Sequence, residues 1–286
     1  MREVTPATKK YVKTPLKPRP VDSQKGDNGK ILIIAGSFGM AGAAVMTGRA
    51  ALRAGAGLTT YLVPDEIVPV LQTAVPEAMC KSRNKALEDP DTVYFDGFDA
   101  IAFGPGLGQD QNNTVLLERV LFHFTGTLVL DADGLNLLAK LGAEHLKEAS
   151  CKVIITPHMG EAARLLDKDI SEMAKDREAA VTELHEKTGA VAVLKGAGTL
   201  VTDGDIILKN TTGTPGMAKG GSGDVLTGII TALAGQGLDP LDAAGAGVFI
   251  HGYAGELAEE KHGQYGMLPT DTIEEIGIAM RDITGR

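Results

Sequence analysis

The chain has 286 residues, of which 43% are hydrophobic, so it can form one large α/β domain or two small domains with a sizeable core. Its formal net charge of −9 and its lack of tryptophan argue against binding of long nucleic acids, which takes basic surfaces and often aromatic rings. No apolar stretch reaches the ~18 residues that a membrane span needs, and the N-terminus lacks the apolar core of a signal peptide. We therefore expect a cytoplasmic protein with Cys80 and Cys151 as free thiols.

The N-terminal residues 1–29 predict an arm on or near the domain surface, because their prolines exclude a regular helix. These prolines are Pro6, Pro15, Pro18 and Pro20. After this arm the composition shows no linker, which predicts a single catalytic domain over residues 30–286.

Strand-like and helix-like segments alternate through this domain. The predicted strands cover residues 30–35, 58–63, 100–103, 127–130, 152–155 and 190–194, followed by a hairpin of 199–202 and 206–209. The predicted helices cover residues 43–54, 113–122, 134–140, 161–166, 171–187, 223–234 and 241–260, with a last helix from Asp271. Asp271 and Glu274 have capping-box spacing. This alternation predicts a mostly parallel sheet with helices on both faces and ligands at the carboxyl ends of its strands.

The strongest motif is AKGGSGDVLTG at residues 218–228, which leads into a predicted helix. Its glycines let the backbone approach an anion, and the first N–H groups of the helix are left unpaired for it. Asp224 can accept a proton from a hydroxyl that attacks a phosphoryl group, or it can cap its own helix. Glycines alone do not decide between these two roles.

Other glycine-bearing loops follow predicted strands and can contact a ligand or form ordinary turns. They are GSFGMAG at 36–42, GPGLG at 104–108, KGAGT at 195–199 and TTGTPG at 211–216. The first two do not have the GxGxxG spacing of dinucleotide-binding folds. Lys195 can pair with a phosphate or lie in solvent at the end of its strand.

Polar residues follow two further strands, in the segments LDADGLN at 130–136 and TPHMGE at 156–161. Asp131, Asp133, Asn136, His158 and Glu161 can hold a substrate amide, a ribose or the water shell of Mg²⁺, or cap their helices. The histidines show no zinc-site pairing, and the serines lack the context of a hydrolase nucleophile.

The segments GSFGMAGA, FGPGLG, LDADGLN, TPHMGE, KGAGT and GGSGDVLTG, in this order, closely resemble the ADP/ATP-dependent NAD(P)H-hydrate dehydratase family. The resemblance runs from Gly29 to the C-terminus. It implies a ribokinase-like three-layer α/β fold, with a mostly parallel sheet and helices on both faces. It also implies the bacterial stand-alone form, because the epimerase domain that some relatives carry does not precede the first strand here.

The resemblance implies a repair reaction on NADH or NADPH that has taken up water across a nicotinamide ring double bond. The (S)-hydrate hydroxyl would be phosphorylated from ADP, or from ATP in eukaryotic members, and phosphate would then be eliminated, giving AMP and phosphate. It further implies Mg²⁺ as cofactor, ADP and the NADH and NADPH hydrates as small-molecule partners, and a homotetramer. The composition adds the expectation of no membrane or nucleic-acid partner.

Matched position by position, the resemblance assigns Asp224 as the catalytic base. It assigns the anion hole to Gly221, Ser222 and Gly223, and Mg²⁺ binding through water to Glu161. The hydrate contacts would be Ala44, Gly106 (or Gly108 on the same loop), His158 and Asp224. The nucleotide contacts would be Lys195, Gly196, Ala197, Gly198, Thr199 and Gly223.

Two other functions are compatible with these residues. A ribokinase-like kinase of a vitamin or thiazole alcohol would use the same base and release a phosphorylated product. A nucleotide-sensing protein without turnover is the other, although an acidic residue at a phosphate site argues against simple binding.

Overall fold

Short apolar runs of the sequence form most strands of the central sheet. The computed structural model describes residues 3–88 and 95–286. Within these residues the strands are β1 (Val4–Ala7), β2 (Lys30–Ile34), β3 (Leu58–Val63), β4 (Met79–Ser82), β5 (Ala100–Phe103), β6 (Thr127–Leu130), β7 (Lys152–Ile155), β8 (Val191–Leu194), β9 (Leu200–Thr202) and β10 (Ile207–Asn210).

All ten described strands join one sheet in the order β1-β10-β9-β8-β7-β6-β5-β2-β3-β4. Each neighbouring pair is parallel except the two that involve β9, which runs antiparallel to both β8 and β10. The predicted hairpin is therefore confirmed, as is the mostly parallel sheet. Loops that leave β2, β5, β6, β7 and β8 consequently emerge at one edge of the sheet.

The helices within the described residues cover both faces of this sheet. They are α1 (Lys9–Lys13), α2 (Ala41–Arg53), α3 (Val68–Ala74), α4 (Arg83–Glu88), α5 (Gln111–His123), α6 (Asp133–Leu141), α7 (Met159–Leu166), α8 (Ile170–Met173), α9 (Arg177–Thr188), α10 (Ser222–Gly235), α11 (Pro240–Gly266) and α12 (Pro269–Thr284). Short 3-10 turns cover Lys25–Asn28, Asp65–Ile67, Ala143–Glu148 and Pro215–Met217. No described helix combines the length and the apolar character needed to cross a bilayer.

The two faces of the sheet belong to separate hydrophobic cores. Along β2, Ile31 and Ile33 pack into the core that contains α2, α10, α11 and α12, whereas Leu32 and Ile34 pack into the core that contains α5, α6, α7 and α9. Successive side chains of a strand point to opposite faces, so a strand buried on both faces is apolar throughout. This explains why the central strands are continuous apolar runs.

The small residues of α2 allow close packing within the chain. A Cβ on Gly228 of α10 would lie 2.1 Å from the carbonyl oxygen of Thr47 on α2, so the two backbones nearly touch there. The N-terminus of α10, with its GGSGD segment, also lies against α2, where a Cβ on Gly221 would be 2.6 Å from the sulfur of Met46.

The structure corrects three sequence predictions. Residues 4–7 form β1, which pairs with β10 at the edge of the sheet. Residues 9–13 form α1 because no proline lies among them, so the predicted absence of a regular helix is wrong for these five residues. The helix predicted over 171–187 is two helices, because the Asp176 side chain caps a new one by accepting from the Ala179 N–H at 2.9 Å. Asp271 is the third residue of α12 and accepts from the Leu268 N–H at 2.7 Å, so its predicted capping box with Glu274 is wrong.

The sequence did not predict β4, α3 or α4, and the residues that follow α4, 89–94, lie outside the described part of the chain. Cys80 and Cys151 are free thiols, as predicted.

Candidate active site

A buried ion pair joins the ends of β6 and β8. Lys195 Nζ lies 2.6 Å from Asp131 Oδ1, and the Thr227 hydroxyl donates to Asp131 Oδ2 at 2.8 Å. The Asp131 side chain is only 1% exposed. Burial alone raises the pKa of Asp131, but the Lys195 cation and the hydroxyls of Thr227 and Thr156 outweigh it and lower that pKa overall. Asp131 is therefore a carboxylate.

Lys195 lies between two buried carboxyl groups. Its Nζ is 3.8 Å from Glu161 Oε2 on α7, in addition to its contact with Asp131. Burial lowers the pKa of Lys195, but the charges of Asp131 and Glu161 outweigh burial and raise it. Burial raises the pKa of Glu161, and Lys195 offsets this only in part. The site therefore holds a permanent cation beside a carboxyl group that takes up protons more readily than an ordinary glutamate.

His158 and Glu161 cap α7 reciprocally. His158 Nδ1 accepts from the N–H groups of Gly160 (3.0 Å) and Glu161 (3.2 Å), and Glu161 Oε2 accepts from the His158 N–H at 2.8 Å. The helix-cap role that the sequence left open for His158 is thus present. Its Nε2 lies 3.4 Å from Glu161 Oε1, and the side chain is still 58% exposed, so a ligand can reach the ring.

Asp224 is the third residue of α10, close to the pair formed by Asp131 and Lys195. Within residues 3–88 and 95–286 its carboxylate accepts no hydrogen bond, so it does not cap its own helix. Burial and the charge of Asp131 raise the pKa of Asp224 to about 7, against a smaller opposing effect of Lys195. A general base works best when its pKa is near the operating pH, so Asp224 has the properties of one.

The backbone before Asp224 leaves N–H groups for an anion. The N–H groups of Gly221 and Gly223 make no hydrogen bond to any described residue, whereas the Ser222 N–H donates to the Lys219 carbonyl at 3.3 Å. A Cβ on Gly223 would lie 3.4 Å from Lys195 Nζ and 3.6 Å from Asp131 Oδ2. The predicted anion hole therefore lies beside the cation, with two of its three N–H groups unpaired.

The loops after β2 and β5 contact each other through their backbones. Gly36 N–H donates to the Pro105 carbonyl at 2.8 Å, and the Ser37 hydroxyl donates to the Gly106 carbonyl at 2.9 Å. A Cβ on Gly106 would lie 2.9 Å from the Cβ of Ala43, next to the buried Ala44. The structure thus brings the predicted hydrate contacts Ala44 and Gly106 together.

Gly108, the alternative hydrate contact, is tied to the first turn of α6. Its N–H donates to Asp133 Oδ2 at 2.9 Å, and Gln109 Nε2 donates to Asp133 Oδ1 at 3.0 Å. Asp133 therefore fixes the end of this loop.

The loop KGAGT is fixed by a residue that the sequence analysis did not select. Arg177 of α9 donates to the carbonyls of Ala197 (2.6 Å) and Leu194 (3.2 Å). The loop is completed by Thr199, which donates to the Gly196 carbonyl at 2.9 Å. Lys195 is the first residue of this loop, but its side chain lies against Asp131 and not along the loop. The nucleotide contacts predicted for residues 195–199 are thus divided between an exposed loop and the buried ion pair.

A sequence profile described as NAD(P)H-hydrate dehydratase (Carb_kinase) matches residues 31–277. The chain belongs to the NAD(P)H-hydrate dehydratase family. The family resemblance inferred from the sequence motifs is therefore confirmed.

Two curated relatives are bifunctional NAD(P)H-hydrate repair enzymes. The Vibrio cholerae enzyme is 42% identical over 261 residues, which are 91% of this chain and 51% of the relative. The Escherichia coli enzyme is 45% identical over 258 residues, which are 90% of this chain and 48% of the relative. The chain thus spans about half the length of the curated relatives it matches.

A solved structure has the same fold. The ADP/ATP-dependent NAD(P)H-hydrate dehydratase of Bacillus subtilis, co-crystallized with ATP and Mg²⁺, superposes with a TM-score of 0.88 at 30% identity, covering 97% of this chain and 98% of that one. The ribokinase-like three-layer fold expected from the sequence is confirmed.

Sequence reasoning also missed a strained residue in this family member's site. Ala132 has a φ of 49°, which side-chain-bearing residues rarely adopt, and it lies between Asp131 and Asp133. The two carboxylates on either side of Ala132 have different partners. Asp131 pairs with Lys195, and Asp133 accepts a hydrogen bond from the Gly108 N–H. A positive φ at alanine has no sequence signal.

The described residues of the site offer single carboxyl groups to Mg²⁺ and not a preformed cage. No group of three His, Cys, Asp or Glu side chains in the described ranges is arranged as a metal cage. Asp131 already accepts from Lys195 and Thr227, and Glu161 accepts from the His158 N–H. Mg²⁺ commonly keeps several waters and binds substrate phosphates, so the site requires no direct cage.

Proposed function

We propose that the chain is an ADP-dependent dehydratase of the (S)-hydrates of NADH and NADPH. The observation that carries the proposal is Asp224, a base with a pKa of about 7 that follows the free N–H of Gly223 at a helix N-terminus. A phosphoryl group held there would face a proton acceptor, which phosphate binding alone does not need.

In the proposed reaction, Asp224 accepts the proton of the hydrate hydroxyl while that oxygen attacks the terminal phosphoryl group of ADP. The bond between this phosphorus and the bridging oxygen breaks, and AMP leaves. The N–H groups of Gly221 and Gly223 donate to the oxygens of the transferring group, a contribution often worth ~3 kcal/mol to such a step.

The second step breaks the bond between the ring carbon and the new phosphate ester. The neighbouring ring carbon loses a proton, which leaves with the departing phosphate, and the electron pair of that C–H bond restores the ring double bond of the reduced nicotinamide. Phosphate is a better leaving group than hydroxide, which is the physical reason for using a nucleotide. His158 and the backbone at Gly106 and Ala44 would orient the hydrate, and the KGAGT loop and Gly223 would contact the nucleotide.

Mg²⁺ is proposed as the cofactor, held by the nucleotide phosphates and, through water, by Glu161. When bound it would reduce the negative charge on the transferring phosphoryl group. Lys195 and the free N–H groups supply further positive potential from the chain itself.

The test follows the return of reduced-nicotinamide absorbance when the chain and Mg²⁺ are mixed with hydrated NADH and either ADP or ATP. Recovery coupled to release of AMP and phosphate, and faster with ADP, is the expected result. Asp224→Asn should bind ADP in calorimetry but lose turnover, and the matched control Asp205→Asn, an exposed turn residue, should behave as wild type.

A phosphorylated product without recovered absorbance would establish the kinase instead, and equal loss of ADP binding and turnover in Asp224→Asn would refute the catalytic role. The homotetramer, which the family resemblance implies, and a cytoplasmic location remain proposals. Light scattering on the purified chain tests the tetramer.

A further inference from the structure

A cavity of about 360 Å³ opens on the helical layer next to the proposed hydrate loop. It is lined by Gln109, Asn136, Ala139, Lys140 and Arg164. Three of these residues, Asn136, Ala139 and Lys140, have the i, i+3, i+4 spacing of one face of α6. The lining contains two cations, two side-chain amides and no carboxylate.

The two cations are oriented but not neutralised. Arg164 Nη1 donates to Asn136 Oδ1, and Lys140 Nζ donates to the Gln109 carbonyl at 3.4 Å. Neither cation forms an ion pair with any carboxylate in the described parts of the chain. In a chain with a net charge of −9, two adjacent unpaired cations form a local site for an anion.

Hydrogen bonds connect this cavity to the proposed hydrate site. Gln109 donates to Asp133 Oδ1, whose other oxygen accepts from the Gly108 N–H. Arg164 lies on α7, one turn after Glu161, whose carboxylate accepts from the His158 N–H. A ligand that contacts Gly108 and His158 would therefore lie next to this cavity.

We propose that this cavity binds a phosphate group on the adenosine half of the hydrated dinucleotide. The inference rests on the proposed function, because it assumes that the hydrate contacts the Gly106–Gly108 loop. Arginine binds phosphate through paired N–H groups, lysine adds a point charge, and the amides supply further donors. The phosphate can be the pyrophosphate, common to both dinucleotides, or the 2′-phosphate of the NADPH form.

The test compares wild type with Arg164→Gln and Lys140→Gln, using the hydrates of NADPH, of NADH and of reduced nicotinamide mononucleotide, which lacks the adenosine half. Arg281→Gln and Lys9→Gln, exposed cations on α12 and α1, are the matched controls. We expect each cavity variant to raise the KM for the NADPH hydrate about tenfold, equivalent to ~1.4 kcal/mol. The kcat and the KM for ADP should stay unchanged.

The dissociation constant for NADP⁺, measured by calorimetry, should rise by a similar factor in these variants, independently of turnover. A rise in KM for the NADPH hydrate alone assigns the 2′-phosphate. A rise for both dinucleotides and not for the mononucleotide assigns the pyrophosphate.

Unchanged constants in both cavity variants, a rise that includes the mononucleotide, or a rise in the KM for ADP would each overturn the proposal. Wild type that restores no absorbance from any hydrate would instead refute the proposed function.

Discussion

Lys195 Nζ contacts Asp131 Oδ1 at 2.6 Å, so one ion pair joins the ends of β6 and β8, the two strands on either side of β7. This pair lies beside Gly223, where an added Cβ would be 3.4 Å from Lys195 Nζ. Because the pair is buried, either charge left alone would remain in a poorly solvated environment. The same pair sets the potential around Asp224: Asp131 raises the pKa of Asp224 and Lys195 lowers it. Stability and acid–base chemistry therefore depend on the same two side chains.

Replacing Lys195 by methionine should lower the free energy of unfolding by about 3–5 kcal/mol, because it leaves the Asp131 charge buried without a partner. Urea unfolding monitored by circular dichroism measures this. Lys168→Met is the control, since its ion pair with Glu183 is exposed to solvent and should contribute little to stability. Similar small losses in both variants would contradict the structural role of the buried pair.

The rate of hydrate repair should rise with pH through about 7. Asp224 accepts a proton only as a carboxylate, and its pKa is raised to about 7, so the reactive form accumulates as the pH passes that value. The measurement is kcat/KM for the NADH hydrate between pH 6 and 9. A profile that is flat over this range would mean that Asp224 is not the titrating base.

Asp224→Asn should stabilise the fold at alkaline pH. The pKa of Asp224 is about 7 in the folded chain and 3.8 in an ordinary aspartate, so the folded state binds this proton more tightly. The stabilisation that protonated Asp224 gives to the folded state is fully present below pH 4 and is lost as the pH rises to about 7. At pH 8 the variant should be more stable by about 2–4 kcal/mol.

This difference should shrink towards zero as the pH falls to 4, which thermal unfolding at several pH values can follow. Asp205→Asn, which removes an exposed carboxyl group, is the matched control. A gain that is equal at every pH would argue for a packing effect in place of a charge effect.

Gly223→Ala should leave the fold intact and reduce kcat about 10²–10³-fold. The added Cβ would meet Lys195 Nζ at 3.4 Å and Asp131 Oδ2 at 3.6 Å, which are ordinary contacts, but it occupies space in front of the anion hole. Gly277→Ala, on the open face of α12, is the matched helix control and should keep full activity. Wild-type turnover in Gly223→Ala would show that Gly223 does not lie at the site of phosphoryl transfer.

His158→Asn and His158→Ala should separate the helix cap from substrate contact. Asparagine can cap α7 and alanine cannot, so His158→Ala alone should lose about 1 kcal/mol of stability. Both variants should raise the KM for the hydrate if the exposed ring touches it. If the asparagine variant has a normal KM, His158 serves only as a cap.

The sequence predicted the central strands because KILII, AIAF and TLVL are apolar on both faces, and it predicted the ligand edge because glycines follow them. It did not predict β1, since VTPA is short, contains a proline and lies at the sheet edge. The break between α8 and α9 contains no glycine or proline, and only the cap at Asp176 marks it.

Within the candidate site, the sequence identified Asp224, Lys195 and Asp131 as separate polar residues at strand or helix ends. It could not show that Lys195 pairs with Asp131, because their contact joins residues 64 positions apart in the chain. Arg177 likewise contacts the KGAGT loop from a different element, α9. An arginine in the first turn of a helix gives no sequence signal for such a contact.

The pairing of β1 with β10 has a consequence for the order of folding. Val4 pairs with Ile207, so residues 4–7 are synthesised about 200 residues before their partner strand exists. At ~5–20 residues per second, this strand waits roughly 10–40 s for β10. The completed sheet edge must then be a late event in folding, and until it forms the open backbone of β10 is free to pair with another chain.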